Sequence, residues 1–261
     1  GCLFSSPPQL AGDVLFGGTT GGDQPTQGKI FAVNAITGER MWTFDILKKD
    51  DPKSWPGDSG EVGGSGAWLP GTYDEKTDTI FIGTSNAAPD VYGAEREGDN
   101  KYSASLLALE PKTGKLKWAY QEIPHDVWDY DSAYEALSLN VNGKDVLVHL
   151  NKSGYVFVLE KDTGKVENVW PLAENINFVK GIDPKTGELI GRVDMPEGKE
   201  TTICPYLLGA RSWNHGAYNP DTGLWYTNAM EVCNVVVPAP QEHENVGIAG
   251  LYLGVSKLVA V

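Results

Sequence analysis

A repeated segment constrains the fold of this chain more than any other feature of the sequence. Residues 32–42 read AVNAITGERMW and recur at 108–118 as ALEPKTGKLKW, and a looser copy at 158–170 has two extra residues before its tryptophan. Each copy predicts a strand, a turn closed by Thr-Gly, and a second strand whose tryptophan packs against the neighbouring repeat. Repeats that bury one another in this way indicate a solenoid or a propeller.

A second hairpin type alternates with the first. It places a turn-rich segment before a short apolar strand, at residues 73–78 and again at 218–223. Two alternating hairpins supply four antiparallel strands, which is the composition of a propeller blade. The sequence therefore predicts an all-β fold, a β-propeller with four-stranded blades that are closed by the Thr-Gly and Trp repeats.

About four such blades are expected, in one domain over residues 1–261. The predicted blades cover about residues 8–44, 67–120, 135–170 and 214–261. A long insertion rich in glycine, proline and charge separates the last two blades, at about 171–212. Four blades make a tight ring and the fourth ends a strand short, so we expect the chain to be part of a larger propeller, cut at both ends.

Composition and charge narrow the function classes. The 31 glycines, 8 tryptophans and 11 tyrosines, without a long run at helical period, favour short strands and tight turns. A formal net charge of -14 argues against nucleic acid or an anionic membrane as partner. The sequence contains no uninterrupted apolar run of about 18 residues, so no membrane span is predicted. No leader precedes Gly1, so the chain is expected to be either cytoplasmic or separated from its leader.

The three cysteines do not predict a zinc site, because none stands in a CxxC pair. Cys204 and Cys233 flank a hairpin-like stretch and could form a disulfide bond. Cys2 would then be left free.

Two carboxylates flank a tyrosine in the segment HDVWDYD at 125–131. In an extended segment alternate side chains leave the same face, so Asp129 and Asp131 are expected to point into one cavity, with Trp128 and Tyr130 on the other side. Converging carboxylates repel unless a cation lies between them or one is protonated. The pair therefore suggests a metal ligand, a catalytic base, or both. The alternative is an acidic surface turn.

Other polar and aromatic residues fall at equivalent points of the predicted blades. Asp23, Asn86 and Lys152 each follow a second strand, whereas Trp68 and Asn214 lie at the start of a first strand. These points share one edge of an antiparallel blade, and that edge surrounds the central channel of a propeller. We therefore expect these residues to meet, with a chance clustering of polar loops as the alternative.

The chemistry of this set indicates a site for a hard cation and a planar ligand. Its candidate metal ligands offer only oxygen atoms, as calcium-like cations prefer: Asp23, Asn86, Asp129 and Asp131. Trp68 follows a glycine-rich loop and is expected to be a stacking floor for the ligand. Lys152 could polarise an oxygen of that ligand, and the glycines at 21–22 allow backbone amides to approach it closely.

The combined motifs resemble the pyrroloquinoline-quinone (PQQ)-dependent alcohol dehydrogenases, the family of methanol and ethanol dehydrogenases. The resemblance covers nearly the whole chain. Besides the repeats it rests on GTSN at 83–86, GDNK at 98–101, PHDVWDY at 124–130, ICP at 203–205 and WN at 213–214. It implies an eight-bladed propeller, of which this chain would be roughly the middle half.

The resemblance also implies an activity, the oxidation of an alcohol to the aldehyde, with a cytochrome c-type electron acceptor. A metal ion would polarise a quinone carbonyl, Asp129 would remove the alcohol proton as catalytic base, and hydride would pass to the quinone. Asn86 and Asp23 are implied as metal ligands, Trp68 as the floor under PQQ, and Lys152 as a contact to its reactive oxygens. The other residues at or beside quinone-contacting positions are Ser5, Thr20, Gly21, Gly22 and Asn214.

Two departures bear on the metal. Asp23 stands where the family usually has glutamate, and Asp131 stands where its lanthanide-using members carry aspartate. Three carboxylates beside a quinone carboxylate repel one another less around a trivalent ion, so we expect a lanthanide. If the short arm of Asp23 does not reach the metal, fewer ligands remain and calcium could fill the site, which is the alternative.

The family positions of Cys204 and Cys233 imply that they form a disulfide and that the protein is periplasmic. A homodimer is a further expectation. The rival function is a non-catalytic propeller scaffold of the outer-membrane assembly lipoprotein type. Such a scaffold needs the repeats but has no use for Asn86, Asp129 and Trp68 together.

Overall fold

The structure is a computed structural model, and it describes residues 3–22, 26–61, 63–239, 247–252 and 256–260. In these ranges the chain forms β-strands and one short 3-10 helix, Ser59–Glu61, with no α-helix. Nor do they contain a helix with the length and apolarity needed to cross a membrane. The predicted all-β class is confirmed.

Three four-stranded antiparallel sheets follow one another along the chain, each with its strands in sequence order. The first sheet contains β1 (Gln9–Ala11), β2 (Val14–Gly18), β3 (Lys29–Asn34) and β4 (Arg40–Asp45). The second contains β5 (Thr72–Asp74), β6 (Thr79–Gly83), β7 (Ser105–Leu109) and β8 (Leu116–Gln121). The third contains β9 (Ala136–Val141), β10 (Lys144–Leu150), β11 (Tyr155–Glu160) and β12 (Val166–Pro171). These are the predicted four-stranded blades.

The rest of the chain forms shorter sheets. A small hairpin consists of β13 (Gly181–Ile182) and β14 (Leu189–Ile190). The part expected as the fourth blade supplies a three-stranded sheet of β16 (Ala217–Asn219), β17 (Leu224–Met230) and β20 (Ser256–Ala260). A further sheet, which the sequence did not predict, joins β15 (Thr201–Ile203), β18 (Cys233–Val237) and β19 (Gly247–Tyr252).

A disulfide between Cys204 and Cys233 joins the end of β15 to the start of β18. Their Cα atoms are 4.4 Å apart, and both residues are buried. The predicted pairing is thus confirmed, and it ties the segment after β12 to the segment after β17. The remaining cysteine, Cys2, lies outside the described residues.

Two tryptophans of the repeats, Trp42 and Trp118, join neighbouring sheets as predicted. Trp42 at the end of the first sheet donates from Nε1 to Pro111 O of the second at 2.7 Å, and its ring lies against Gly114. Trp118 makes the same contact one sheet further along, donating to Lys161 O at 3.1 Å and lying against Gly164. Trp42 is buried and Trp118 partly buried by these contacts, and each contact satisfies the N–H group of the indole, so it fixes adjacent sheets side by side.

The Thr-Gly turns make this contact possible. The glycine N–H closes each turn by donating to the residue four positions earlier, at 2.9 Å for Gly114 and 2.8 Å for Gly164. Gly164 has φ +70°, a left-handed conformation that glycine adopts without strain. The absence of a side chain also leaves room for the indole of the preceding sheet. One residue type therefore serves both the turn and the packing.

We predict that Gly164→Ala destabilises the protein more than Gly143→Ala does. Both glycines have positive φ, but a Cβ atom at 164 would overlap the Trp118 ring, whereas nothing lies within 4 Å of one at 143. The overlap should cost about 1 to 3 kcal/mol beyond the strain common to both. Urea unfolding of the two variants measures the difference. Equal losses would show that Trp118 contributes nothing specific at this contact.

Candidate functional site

Loops from three sheets surround one cavity of about 240 Å³. Thr20 and its two glycines follow β2, Asn86 follows β6, and Lys152 follows β10, as the spacing predicted. The full lining is Thr20, Gly21, Gly22, Trp68, Ser85, Asn86, Asp129, Asp131, Lys152, Leu208, Ser212 and Trp213. The structure thus brings eight of the predicted site residues together around one space.

The described lining does not include the other three predicted residues. Asp23 lies outside the described residues. Asn214 does not line the cavity, because its side chain is exposed and its backbone oxygen accepts hydrogen bonds from Arg211 at 2.9 and 3.1 Å. Ser5 lies beside the site, where its Oγ donates to Trp68 O at 2.9 Å. Trp213, which the sequence analysis did not select, lines the cavity instead of its neighbour Asn214.

The two carboxylates of the HDVWDYD segment converge on Lys152. The Lys152 ammonium lies 2.9 Å from Asp129 Oδ2 and 2.8 Å from Asp131 Oδ2. Burial of Lys152 favours its neutral form, but the attraction of the two carboxylates outweighs burial and raises the pKa of Lys152 well above its usual value. The lysine is therefore charged and offsets the repulsion between the two aspartates.

Trp128 and Tyr130 point away from the cavity, as predicted. Their rings are stacked with centroids 6.0 Å apart and pack edge-on against Phe178 in the core. The predicted extended conformation of this segment was wrong, however, because Asp129 has φ +63°. This left-handed residue turns the chain so that Asp129 and Asp131 both reach Lys152.

A buried aspartate that the sequence analysis missed holds this turn. Asp126 accepts hydrogen bonds from the backbone N–H groups of Trp128 at 2.9 Å and Tyr130 at 2.7 Å. Burial raises the pKa of Asp126 to about 6, against the opposing effect of these bonds and of Arg96. Its position two residues before Trp128 is typical of an Asx turn and was the available signal.

The insertion supports the same loop from outside. Arg192 donates from Nη1 to Pro124 O at 2.8 Å and from Nη2 to His125 O. Its guanidinium lies 4.2 Å from the centroid of the Trp128 ring. An arginine stacked on an aromatic face while bonded to two carbonyls is held firmly. The segment between the third and fourth blades therefore helps to fix the loop that carries Asp129.

Asn86 faces the cavity with an oxygen that lacks a partner. Its backbone N–H donates to Asp131 Oδ1 at 2.9 Å, and its Nδ2 donates to Asp90 Oδ1 at 2.8 Å. Its Oδ1 is buried and has no hydrogen-bond partner among the described residues. A buried acceptor without a partner is costly unless a ligand satisfies it.

The donors at the cavity fit a hard cation. They are one amide oxygen and the carboxylates of Asp129 and Asp131, which are oxygen ligands of the kind that calcium and similar ions prefer. The described residues contain no cluster of three or more His, Cys, Asp or Glu that could hold a metal by itself. A cation here would therefore rely on the amide oxygen of Asn86, a buried atom that finds no hydrogen-bond partner among the described residues.

The cavity also suits a flat ligand. Trp68 lines it, and its ring is supported edge-on by Tyr134, with centroids 5.8 Å apart. Gly22 also lines the cavity, and a Cβ atom there would overlap Ser85 Oγ, so the absence of a side chain lets its backbone lie against Ser85 and Asn86. A supported aromatic ring and close backbone amides are what a planar, polar cofactor needs.

Sequence comparison identifies the family. The family model "PQQ: Glucose/ethanol/alcohol dehydrogenase, beta-propeller domain" matches residues 2–177. The quinoprotein alcohol dehydrogenase PedH of Pseudomonas putida is 34% identical over 88% of this chain. The lanthanide-dependent methanol dehydrogenase of Methylacidiphilum fumariolicum is 32% identical over 89% of it. The alignments span 44% and 43% of these two relatives, so the chain corresponds to less than half of their length.

Solved structures agree with this assignment. The quinohemoprotein alcohol dehydrogenase of Comamonas testosteroni superimposes with a TM-score of 0.83 at 31% identity, over 90% of this chain and 38% of that one. A europium-containing methanol dehydrogenase superimposes with a TM-score of 0.84 at 28% identity, over 98% of this chain and 49% of that one. The scaffold alternative is not favoured by these relatives. The chain belongs to the β-propeller family of the PQQ-dependent alcohol dehydrogenases.

Proposed function

We propose that this chain carries the cofactor and metal site of an enzyme that oxidises an alcohol to the aldehyde with PQQ and a metal ion. The observation that carries the proposal is the arrangement of Asp129, Asp131 and Lys152 beside the partnerless oxygen of Asn86, in a cavity lined by Trp68. A propeller scaffold needs its repeats but gains nothing from a buried hydrogen-bond acceptor without a partner.

Each residue at the site has a separate proposed role. Asp129, partly buried at the cavity, would accept the proton of the alcohol. Lys152 would keep that carboxylate in place and donate a hydrogen bond to an oxygen of the cofactor. Trp68 would hold the cofactor by stacking, and the backbone at 20–22 would contact its polar edge. When bound, the quinone would supply hydride acceptance, and the cation would make it more electrophilic.

The metal would be held by Asn86, Asp129 and Asp131, with Asp23 as a fourth ligand. Two relatives bear on its identity by name, one as lanthanide-dependent and one as europium-containing. Several carboxylates around one ion favour a trivalent cation, because a higher charge offsets more of their repulsion. We therefore propose a lanthanide, with calcium as the alternative.

The substrate, the electron acceptor and the cellular location are proposed on the basis of the same family. A small alcohol is the proposed substrate, and a cytochrome of the c type is the proposed electron acceptor. One relative is named a quinohemoprotein alcohol dehydrogenase, and this name supports a haem protein as the acceptor. The disulfide of Cys204 and Cys233 is suited to the oxidising periplasm, which we propose as the location. A homodimer is the proposed assembly.

We predict that Asp129→Asn in the full-length enzyme lowers alcohol turnover by about 100-fold or more, because an amide cannot accept the proton. PQQ should stay bound, since the amide keeps the shape of the carboxylate. Turnover with an artificial electron acceptor and the absorbance of bound PQQ measure the two effects. Asp221→Asn, at an exposed turn, is the matched control and should behave as the parent. Near-parental turnover of Asp129→Asn would remove Asp129 as the base.

A second variant tests the metal. Asp131→Ala should selectively weaken activation by lanthanum or cerium and spare calcium-supported turnover, because it removes one of the charges that favour a trivalent ion. Thermal unfolding of the same variant provides the control for stability, since Asp131 also pairs with Lys152 and Asn86 N. If the unmodified enzyme turns over with calcium and gains nothing from lanthanum or cerium, the lanthanide proposal is wrong.

A further inference from the structure

The side-chain amide of Asn86 has two ends of opposite hydrogen-bonding character, and only its oxygen suits a cation. Nδ2 donates to Asp90 Oδ1 at 2.8 Å and to Ala87 O at 3.3 Å. An ionised carboxylate only accepts hydrogen bonds, so it must face the NH2 end. Oδ1 is thereby turned toward Gly22, a lining residue of the cavity, where a Cβ atom would come within 3.1 Å of it.

Asp90 is held in place by a buried arginine. Arg96 is fully buried and donates to Pro89 O from Nε at 3.0 Å and from Nη2 at 2.7 Å. Nη2 also lies within 3.2 Å of Asp90 O, and Nη1 donates to Asn100 Oδ1 at 2.9 Å. Because the guanidinium is rigid and planar, its hydrogen bonds hold this turn in one conformation. The backbone that carries Asp90 is therefore fixed relative to Asn86.

The same guanidinium reaches the second loop of the site. Arg96 Nη2 donates to Asp126 O, and the Asp126 carboxylate accepts the N–H groups of Trp128 and Tyr130. That loop carries the two aspartates that converge on Lys152. A direct bond from Asn86 N to Asp131 Oδ1, at 2.9 Å, joins the two loops at the cavity. All the oxygen donors described at the site are thus held in one network.

We propose that Asp90 is a positioning residue for the metal site: its carboxylate sets the Asn86 amide so that an oxygen, not an NH2 group, faces the cation. Arg96 keeps Asp90 in register with the loop of Asp129 and Asp131. The inference rests on the proposed function, because it assumes a cation in the cavity. Without Asp90 the amide could rotate, and the reversed orientation would present N–H dipoles whose positive ends repel a cation.

Three substitutions at position 90 separate orientation from charge. Asp90→Asn and Asp90→Leu both remove the charge and keep the shape of the side chain, but only asparagine retains an oxygen that can accept from Asn86 Nδ2. Asp90→Glu keeps both the charge and the acceptor. The full-length protein supplied with PQQ is titrated with Tb³⁺ alone. Luminescence sensitised by the cavity tryptophans reports the Kd, and Asn86→Ala shows that the signal comes from this site.

We expect Asp90→Glu to bind Tb³⁺ nearly as the parent does and Asp90→Asn to bind more weakly. Asp90→Leu should bind about tenfold more weakly than Asp90→Asn, the size expected for a lost hydrogen bond to an oriented ligand. Equal Kd values for the Asn and Leu variants would overturn the proposal, because charge alone would then explain the loss. Parental Kd values for both would overturn it as well.

The failure of the proposed function gives a different pattern. If the parent shows no Tb³⁺ signal, or one that Asn86→Ala leaves unchanged, the metal site itself is wrong and the positioning role falls with it. Thermal unfolding midpoints of the variants should match the parent within a few degrees. Should Asp90→Leu fail to fold, Asp90→Ser and Asp90→Ala repeat the comparison, since only serine keeps an acceptor oxygen.

Discussion

The contact between a tryptophan ring and the glycine of the next sheet is the interaction on which the rest of the structure depends. Trp42 and Trp118 each bury their rings against a Thr-Gly turn and donate their N–H group to a backbone oxygen beside it. The contact combines apolar burial with a satisfied polar group, so it fixes position as well as proximity. Because neighbouring sheets are fixed in this way, the loops after β2, β6 and β10 end on the same side and enclose one cavity.

Charge balance is the second requirement of this cavity. Asp129 and Asp131 are largely shielded from water and would repel each other, and the Lys152 ammonium that pairs with both offsets part of that repulsion. Among the described residues, Asn86 Oδ1 is one of the buried polar atoms without a hydrogen-bond partner, and Asn86 lines the cavity. A partnerless oxygen next to two carboxylates is a reason to place a cation there, and the family to which the chain belongs supports the same conclusion.

For the HDVWDYD segment the sequence predicted the directions of the side chains correctly but the backbone conformation incorrectly. Alternation along an extended strand placed the two aspartates on one side and the two aromatic rings on the other, and the structure has that division. It is produced instead by a left-handed Asp129 and by the buried carboxylate of Asp126, which the alternation argument cannot represent. Arg96 was missed for a related reason: a buried arginine is recognised by the carbonyls around it, and these come from segments far apart in the chain.

The sequence by itself determined what depends on local spacing: the paired strands, the turns at Thr-Gly and the tryptophan contacts. These features recur at fixed intervals, so the periodicity of apolar and turn residues suffices to predict them. Only the tertiary structure decided that Trp213 and not Asn214 lines the cavity, that β15 pairs with β18, and which end of the Asn86 amide faces inward. Each of these depends on side-chain direction or on contacts between distant segments, and the free energies of such contacts are set by three-dimensional packing and hydrogen bonding, which sequence spacing does not encode.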